Sequence, residues 1–267
     1  MNAKTINLNK GTHVKRFVFP DNQPHVILQD INEGEHVTVI CSITDSNILL
    51  QLLQTANAIG HAKALKKKLI IPYLMGARFD RLMVTGDSFD LEMISSLINS
   101  MQFEQVFLFD VHSTVALQFI SNAVNITNSE LVKSYKKENA VLICPDKGAA
   151  KKVSDYAEWN PNLTEVVYCN KSRDLGTGAI TLQVMEPEKC KDRNCVIIDD
   201  LCDGGGTFLA IAQQVQPAHL TLIVTHGIFS KGFTALEKPF NEIIVSDSYR
   251  DEFDSDIIQV VPFCHSF

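Results

Sequence analysis

Short apolar runs alternate with longer stretches in which apolar residues return every three or four positions. Val37-Thr38-Val39-Ile40-Cys41 has the length and branching of a strand, and Ile48, Leu49, Leu52, Leu53, Ala56 and Ile59 then mark one face of a helix. Leu69–Pro72 is the next strand, Leu91, Ile94, Leu97 and Ile98 outline a second helix, and Val106–Phe109 is a third strand. The rhythm resumes with strands at Val141–Cys144, Val166–Cys169, Cys195–Ile198 and Leu220–Val224, and with helices at 148–159 and from about Phe208. These runs lack the alternation of a sheet wetted on one face, so helices should cover both faces. The pattern predicts an α/β protein of two parallel-sheet lobes, 1–130 and 131–267, with no internal repeat.

Composition narrows the classes of function. The 267 residues are 45% hydrophobic and 21% charged, enough for a substantial core. No run approaches the ~18 apolar residues of a membrane span, and the polar start Met1–Thr5 predicts no secretory signal. A formal charge of −7 argues against general affinity for nucleic acid or anionic membrane, while leaving room for a small anionic substrate. Seven cysteines, most of them in apolar runs and none in a CxxC pair, predict reduced thiols, no zinc site and a cytoplasmic location.

In open parallel sheets ligands bind beyond the carboxyl ends of strands. After Cys195–Ile198 comes Asp199-Asp200-Leu201-Cys202-Asp203-Gly204-Gly205-Gly206-Thr207. Three glycines let the backbone turn and aim several N–H groups at one point, which suits a phosphate, and Thr207 adds a hydroxyl. Carboxylates repel phosphate, but they accept hydrogen bonds from vicinal hydroxyls and help to hold Mg²⁺. Together these describe a sugar-phosphate site. The loop lacks the Gly-Lys-Ser/Thr of a Walker A motif, and Leu209 stands where a dinucleotide fingerprint has its last glycine. A glycine-rich turn with acidic caps would explain the glycines alone, but not the acidic pair behind a strand.

Val196–Thr207 resembles the phosphoribosyl-diphosphate loop shared by type I phosphoribosyltransferases and ribose-phosphate pyrophosphokinases. Other segments resemble the second family, as a short variant of it. They are Pro72–Arg81 ("PYxxYARQDR"), Asp110-Val111-His112 ("DLH"), Cys144–Lys151 ("SPDxGGxKR"), Lys171-Ser172-Arg173 ("KxR" of a mobile loop) and Thr225–Ser230 ("THxxFS"), with Phe19–Gln23 where that family carries "FxDGE". Each short motif has a plainer explanation: Arg78 and Arg81 as a surface ion-pair cluster with Asp80, His112 as a structural histidine, Asp146 as a helix cap, Lys171 and Arg173 as solvated loop cations. Their common order after strand ends favours the family.

The resemblance implies two lobes of the type I phosphoribosyltransferase kind and transfer of a diphosphoryl group from Mg-ATP to ribose 5-phosphate. It implies that Lys171 and Arg173 are catalytic. Phe19, Asp21, Gln23, Arg78, Phe79, Arg81 and His112 would bind ATP, with His112 and Asp146 in the Mg²⁺ region. Asp199 and Asp200 would hold the ribose hydroxyls, and Asp203, Gly204, Gly205, Gly206 and Thr207 the 5-phosphate. Gly176 and Gly178 would lend the catalytic loop flexibility, and Asp110 and His112 would share a face if their strand continues. Partners are ATP and ribose 5-phosphate, with a homo-oligomer (dimer or hexamer) whose ATP site lies near a subunit interface. Phe79 replaces the family's glutamine, Gln23 a glutamate and Gly204 a threonine. Two alternatives stay open: a catalytically silent regulatory homologue, and a phosphoribosyltransferase.

Overall fold

The computed structural model describes residues 3–173 and 180–263, and the backbone alone at 147, 148, 172, 173 and 180. It divides into two compact units, 1–127 and 128–267.

The first unit contains β1 (Ala3–Asn7), β2 (Val14–Val18), β3 (Pro24–Leu28), β4 (His36–Ile40), α1 (Ser46–His61), β5 (Leu65–Ile71), α2 (Asp90–Ser100), β6 (Gln105–Phe109), α3 (Ala116–Phe119) and β7 (Ala123–Ile126). Five strands form a parallel sheet in the order β1-β4-β5-β6-β7. Asp45 starts α1 by accepting hydrogen bonds from the N–H groups of Asn47 and Ile48 at 2.8 and 3.0 Å. The helix then buries Leu49, Leu52, Ala56 and Ile59, four of the positions that its apolar period marked. Each such side chain contributes about 1.5–3 kcal/mol on burial. β2 and β3 make a separate antiparallel hairpin that the apolar pattern does not announce.

The second unit contains α4 (Ser129–Ser134), β8 (Ala140–Cys144), α5 (Lys147–Ala150), α6 (Val153–Trp159), β9 (Leu163–Arg173), β10 (Ile180–Val184), a 3₁₀ turn at Pro187–Cys190, β11 (Asn194–Cys202), α7 (Gly206–Ala212), β12 (His219–Gly227), β13 (Glu242–Ser246) and β14 (Ile258–Val261). Its sheet runs β10-β9-β8-β11-β12-β13-β14, parallel except where β10 folds back on β9. Alternate residues of one strand enter different cores: Val141, Ile143, Cys195 and Ile197 pack in one cluster, Leu142, Val196 and Ile198 in the other. Both faces are therefore dry, as the unbroken apolar runs require.

Three expectations need correction. The helix at 148–159 is two helices, α5 and α6, separated at Lys151 and Lys152. The strand ending at Cys169 continues to Arg173, because its polar end is paired by backbone to β10, Lys171 opposite Leu182 and Arg173 opposite Ile180. Asp110 and His112 share no strand face: β6 stops at Phe109, and Asp110 has a φ of +41°, a left-handed turn.

Candidate active site

β9, β8, β11 and β12 are consecutive neighbours in the large sheet, so their carboxyl ends gather at one edge. β8 delivers Asp146, whose Oδ1 accepts the Ala149 N–H at 3.0 Å, so this acid does cap α5. β11 delivers Asp199 and Asp200, both half-buried, with the Asp200 N–H donating to Asp199 Oδ1 at 2.9 Å. Burial, followed by the charges of Asp200 and Asp146, holds the Asp199 carboxyl well above the usual carboxylate range. A group of acids that oppose one another's charge suits a ligand rich in hydroxyls or a cation.

Beyond β11 the chain turns through Asp203–Gly205 into α7. Gly205 sits at the turn with a φ of +75°, a region that favours glycine, and a β-carbon there would lie 3.1 Å from Leu236 Cδ2. Thr207 is half-buried in the first turn of α7, and the Lys171 ammonium stands 3.5 Å from its hydroxyl. The thiols lining this edge are held neutral by burial, Cys144 pushed up to about 11 and Cys202 up to about 12. Neither supplies a thiolate near neutral pH.

In the first unit the loops after neighbouring strands β5 and β6 meet. The Asp80 carboxylate accepts Arg81 Nε at 2.8 Å and Nη2 at 3.1 Å. Its pKa is lowered first by that hydrogen bond, and also by the Ser113 hydroxyl and the charge of His112. The ion-pair explanation of this segment is thus realised for Arg81, which still stays 72% exposed. Arg78, Phe79 and His112 are also exposed, whereas Asp110 is buried at 2%. Phe19, Asp21 and Gln23 form the exposed tip of the β2–β3 hairpin. The Phe19 N–H donates to the Gln23 carbonyl at 2.9 Å, and the Gln23 N–H to Asp21 Oδ1 at 3.1 Å.

The family model described as phosphoribosyl transferase domain matches residues 117–265, more than half of the chain.

The chain belongs to the phosphoribosyl transferase domain family.

The likeness extends beyond that domain. A ribose-phosphate pyrophosphokinase of Pyrococcus abyssi is 26% identical over 246 residues, covering 88% of this chain and 83% of the relative. One from Ureaplasma parvum is 26% identical over 264 residues, covering 91% and 79%. The crystal structure of phosphoribosylpyrophosphate synthetase from Mycobacterium smegmatis superimposes with a TM-score of 0.85 at 17% identity, over 98% of this chain and 95% of that one. The two-lobed α/β fold and the resemblance to ribose-phosphate pyrophosphokinases are thus both borne out.

Within this phosphoribosyl transferase family member, Asp146, Lys171, Asp199, Asp200 and Asp203–Thr207 come together at one sheet edge. Arg78, Arg81 and His112 come together at the other unit's β5–β6 end, and the hairpin tip is a separate element. Arg173 has its backbone at the end of β9, whereas its side chain, with Gly176 and Gly178, lies outside the described residues. The stem of Lys231 also lies against this loop at Gly204, a contact that nothing local in its sequence marks.

Among the described residues no group of three or more His, Cys, Asp or Glu side chains forms a metal cage. Mg²⁺ is ordinarily held by one or two carboxylates together with substrate phosphates and water. The hard oxygens of Asp146, Asp199 and Asp200 fit that kind of ion. No helix among the described residues is long and apolar enough to cross a membrane.

Proposed function

We propose that this chain transfers the diphosphoryl group of Mg-ATP to the 1-hydroxyl of ribose 5-phosphate, giving 5-phosphoribosyl 1-diphosphate and AMP. The observation that carries this is the span of the similarity. Curated relatives named ribose-phosphate pyrophosphokinase match 88–91% of the chain, so the likeness takes in the first unit as well as the phosphoribosyl transferase domain.

In this reading Asp199 and Asp200 accept hydrogen bonds from the ribose hydroxyls, and the Asp203–Thr207 turn holds the 5-phosphate on backbone N–H groups and the Thr207 hydroxyl. The 1-hydroxyl oxygen bonds to the β-phosphorus as the bond from that phosphorus to the α–β bridging oxygen breaks. The hydroxyl proton passes to solvent, and AMP leaves. Charge grows on the transferring oxygens, so catalysis is positioning plus electrostatic stabilisation, assigned to Lys171 and Arg173. Arg78 and Arg81 bind the triphosphate, whose planar, permanently charged partners they suit. His112, Phe79 and the Phe19–Gln23 hairpin tip complete the nucleotide side. Asp146 and His112, each within its own unit, are the proposed Mg²⁺ ligands, and the ion when bound would neutralise the charge of the triphosphate.

A homo-oligomer, as the resemblance implies, would place the exposed Phe19 and Phe79 near a subunit interface. The six cysteines among the described residues are all buried and unpaired, which supports a reducing, cytoplasmic setting.

The test is AMP release on mixing purified protein with Mg-ATP and ribose 5-phosphate, each omitted in turn. Sugar- and Mg²⁺-dependent AMP is the expected result. No AMP with any nucleoside triphosphate overturns the proposal in favour of a catalytically silent homologue.

A further inference from the structure

The turn after β12 is tied to the phosphate loop by main chain. The N–H groups of Ile228 and Phe229 donate to the Cys202 carbonyl at 2.9 and 3.1 Å, and the Ser230 N–H donates to the Asp203 carbonyl at 3.1 Å. Phe229 and Gly232 have φ values of +47° and +70°, so the chain doubles back, and the Gly232 N–H closes the turn on the Phe229 carbonyl at 2.9 Å. Lys231 lies within that turn, and its exposed side chain passes Gly204. A β-carbon added at Gly204 would stand 3.3 Å from Lys231 Cδ, 3.4 Å from Cε and 3.7 Å from Cγ. The stem therefore occupies the space over Gly204 that a side chain would fill.

The ammonium lies one bond beyond Cε, at the Gly204 end of the loop. No hydrogen bond or ion pair engages it among the described residues. At the other end of the same turn, Lys171 approaches Thr207. Just before Gly204 the chain carries Asp199, Asp200 and Asp203, three acids that oppose the approach of a phosphate dianion. Backbone N–H groups carry only partial charges, so such a loop needs full cations beside it.

We infer that Lys231 is a second cation of the phosphate loop, binding the phosphate of the sugar phosphate, and that position 204 is glycine because the Lys231 stem passes over it. This rests on the sugar-phosphate site proposed above. A merely structural lysine would cover the glycine with its methylenes and leave ligand affinity unchanged, which separates the two roles.

The experiment is calorimetric titration of the full chain with ribose 5-phosphate, inorganic phosphate and ribose, comparing wild type with Lys231→Met and Lys231→Arg. Methionine keeps most of the stem and removes the charge. Losing one charge-assisted hydrogen bond should weaken ribose 5-phosphate about tenfold or more. Ribose binding and Tm should stay unchanged, and arginine should restore part of the loss. Equal affinity of Lys231→Met and wild type for ribose 5-phosphate overturns the inference. Should Lys231→Met not fold, Lys231→Gln, which also keeps most of the stem and removes the charge, provides the same comparison. Wild type that binds ribose 5-phosphate but releases no AMP sinks the proposed reaction alone, and Lys231 is still decided by the variants. Wild type that binds neither phosphate ligand sinks both.

Discussion

The Lys171 ammonium lies 3.5 Å from the Thr207 hydroxyl, linking the end of β9 to the first turn of α7. A cation on an extended, solvent-exposed strand end stabilises the fold little, so its removal should be felt in catalysis. Lys171→Ala is expected to lower kcat by roughly 10²–10³, the loss typical of a missing transition-state donor, at unchanged Tm. Steady-state rates together with thermal melts check this. A kcat within about a factor of two of wild type, far short of such a loss, would remove Lys171 from the mechanism.

Asp199 should destabilise the protein that it serves. Its half-buried carboxyl is desolvated beside Asp200 and Asp146, and its folded-state pKa is raised above the unfolded value of 3.8. A raised folded pKa gives stability that is fully present below the unfolded pKa and is lost as pH rises through the folded one. At neutral pH the charged form is therefore a liability. Asp199→Asn is expected to raise Tm at pH 7 by a few degrees, at ~2–4 °C per kcal/mol for a protein of this size, while abolishing most sugar-phosphate binding. The gain should shrink as pH is lowered towards 4. A variant less stable than wild type at pH 7 would show that the carboxylate is not held against its neighbours.

The central strands were legible because burial on both faces leaves an unbroken apolar run: Val141–Cys144, Cys195–Ile198 and Leu220–Val224 all lie within observed strands. The phosphate loop was legible because its acids and glycines are contiguous. What escaped notice rests on backbone or long-range geometry. Residues 170–173 are polar, yet they are strand because β10 pairs with them. The β2–β3 hairpin exposes Lys15, Val18 and Ile27, so it has no clear apolar face. The break at Asp110 is a positive φ, which composition does not signal. Lys231 meets Gly204 only through the turn that follows β12.

Gly205 gives a test of the loop's shape independent of charge. At a φ of +75° any added side chain is strained, and its β-carbon would also press on Leu236 at 3.1–3.4 Å. Leu236 is buried at 2% exposure and has little room to withdraw. Gly205→Ala is expected to cost about 1–3 kcal/mol, through left-handed strain and the displaced leucine. Urea unfolding would measure the loss, and KM for ribose 5-phosphate should rise several-fold while KM for ATP holds. A variant as stable as wild type would mean that the turn relaxes freely.

Asp80 should act on the nucleotide through Arg81. Its side chain is only 11% exposed, whereas that of Arg81 is 72% exposed, so the carboxylate is the anchor and the guanidinium the held group. Both hydrogen bonds use the Nε–Nη2 edge of Arg81, which leaves Nη1 for another acceptor. Asp80→Asn keeps the shape but loses the charge that orients the arginine. We expect KM for ATP to rise about three- to tenfold, as for one weakened charge-assisted contact, with KM for ribose 5-phosphate unchanged. Tm should move little, because the Arg81 end of the pair is solvated and such ion pairs contribute little to stability. The lowered Asp80 pKa gives stability present above the unfolded value of 3.8 and lost as pH falls through the folded one. The Asp80→Asn variant should therefore lose less stability than wild type between neutral pH and pH 3. An unchanged KM for ATP would reduce the Asp80–Arg81 pair to a surface ion pair with no part in binding.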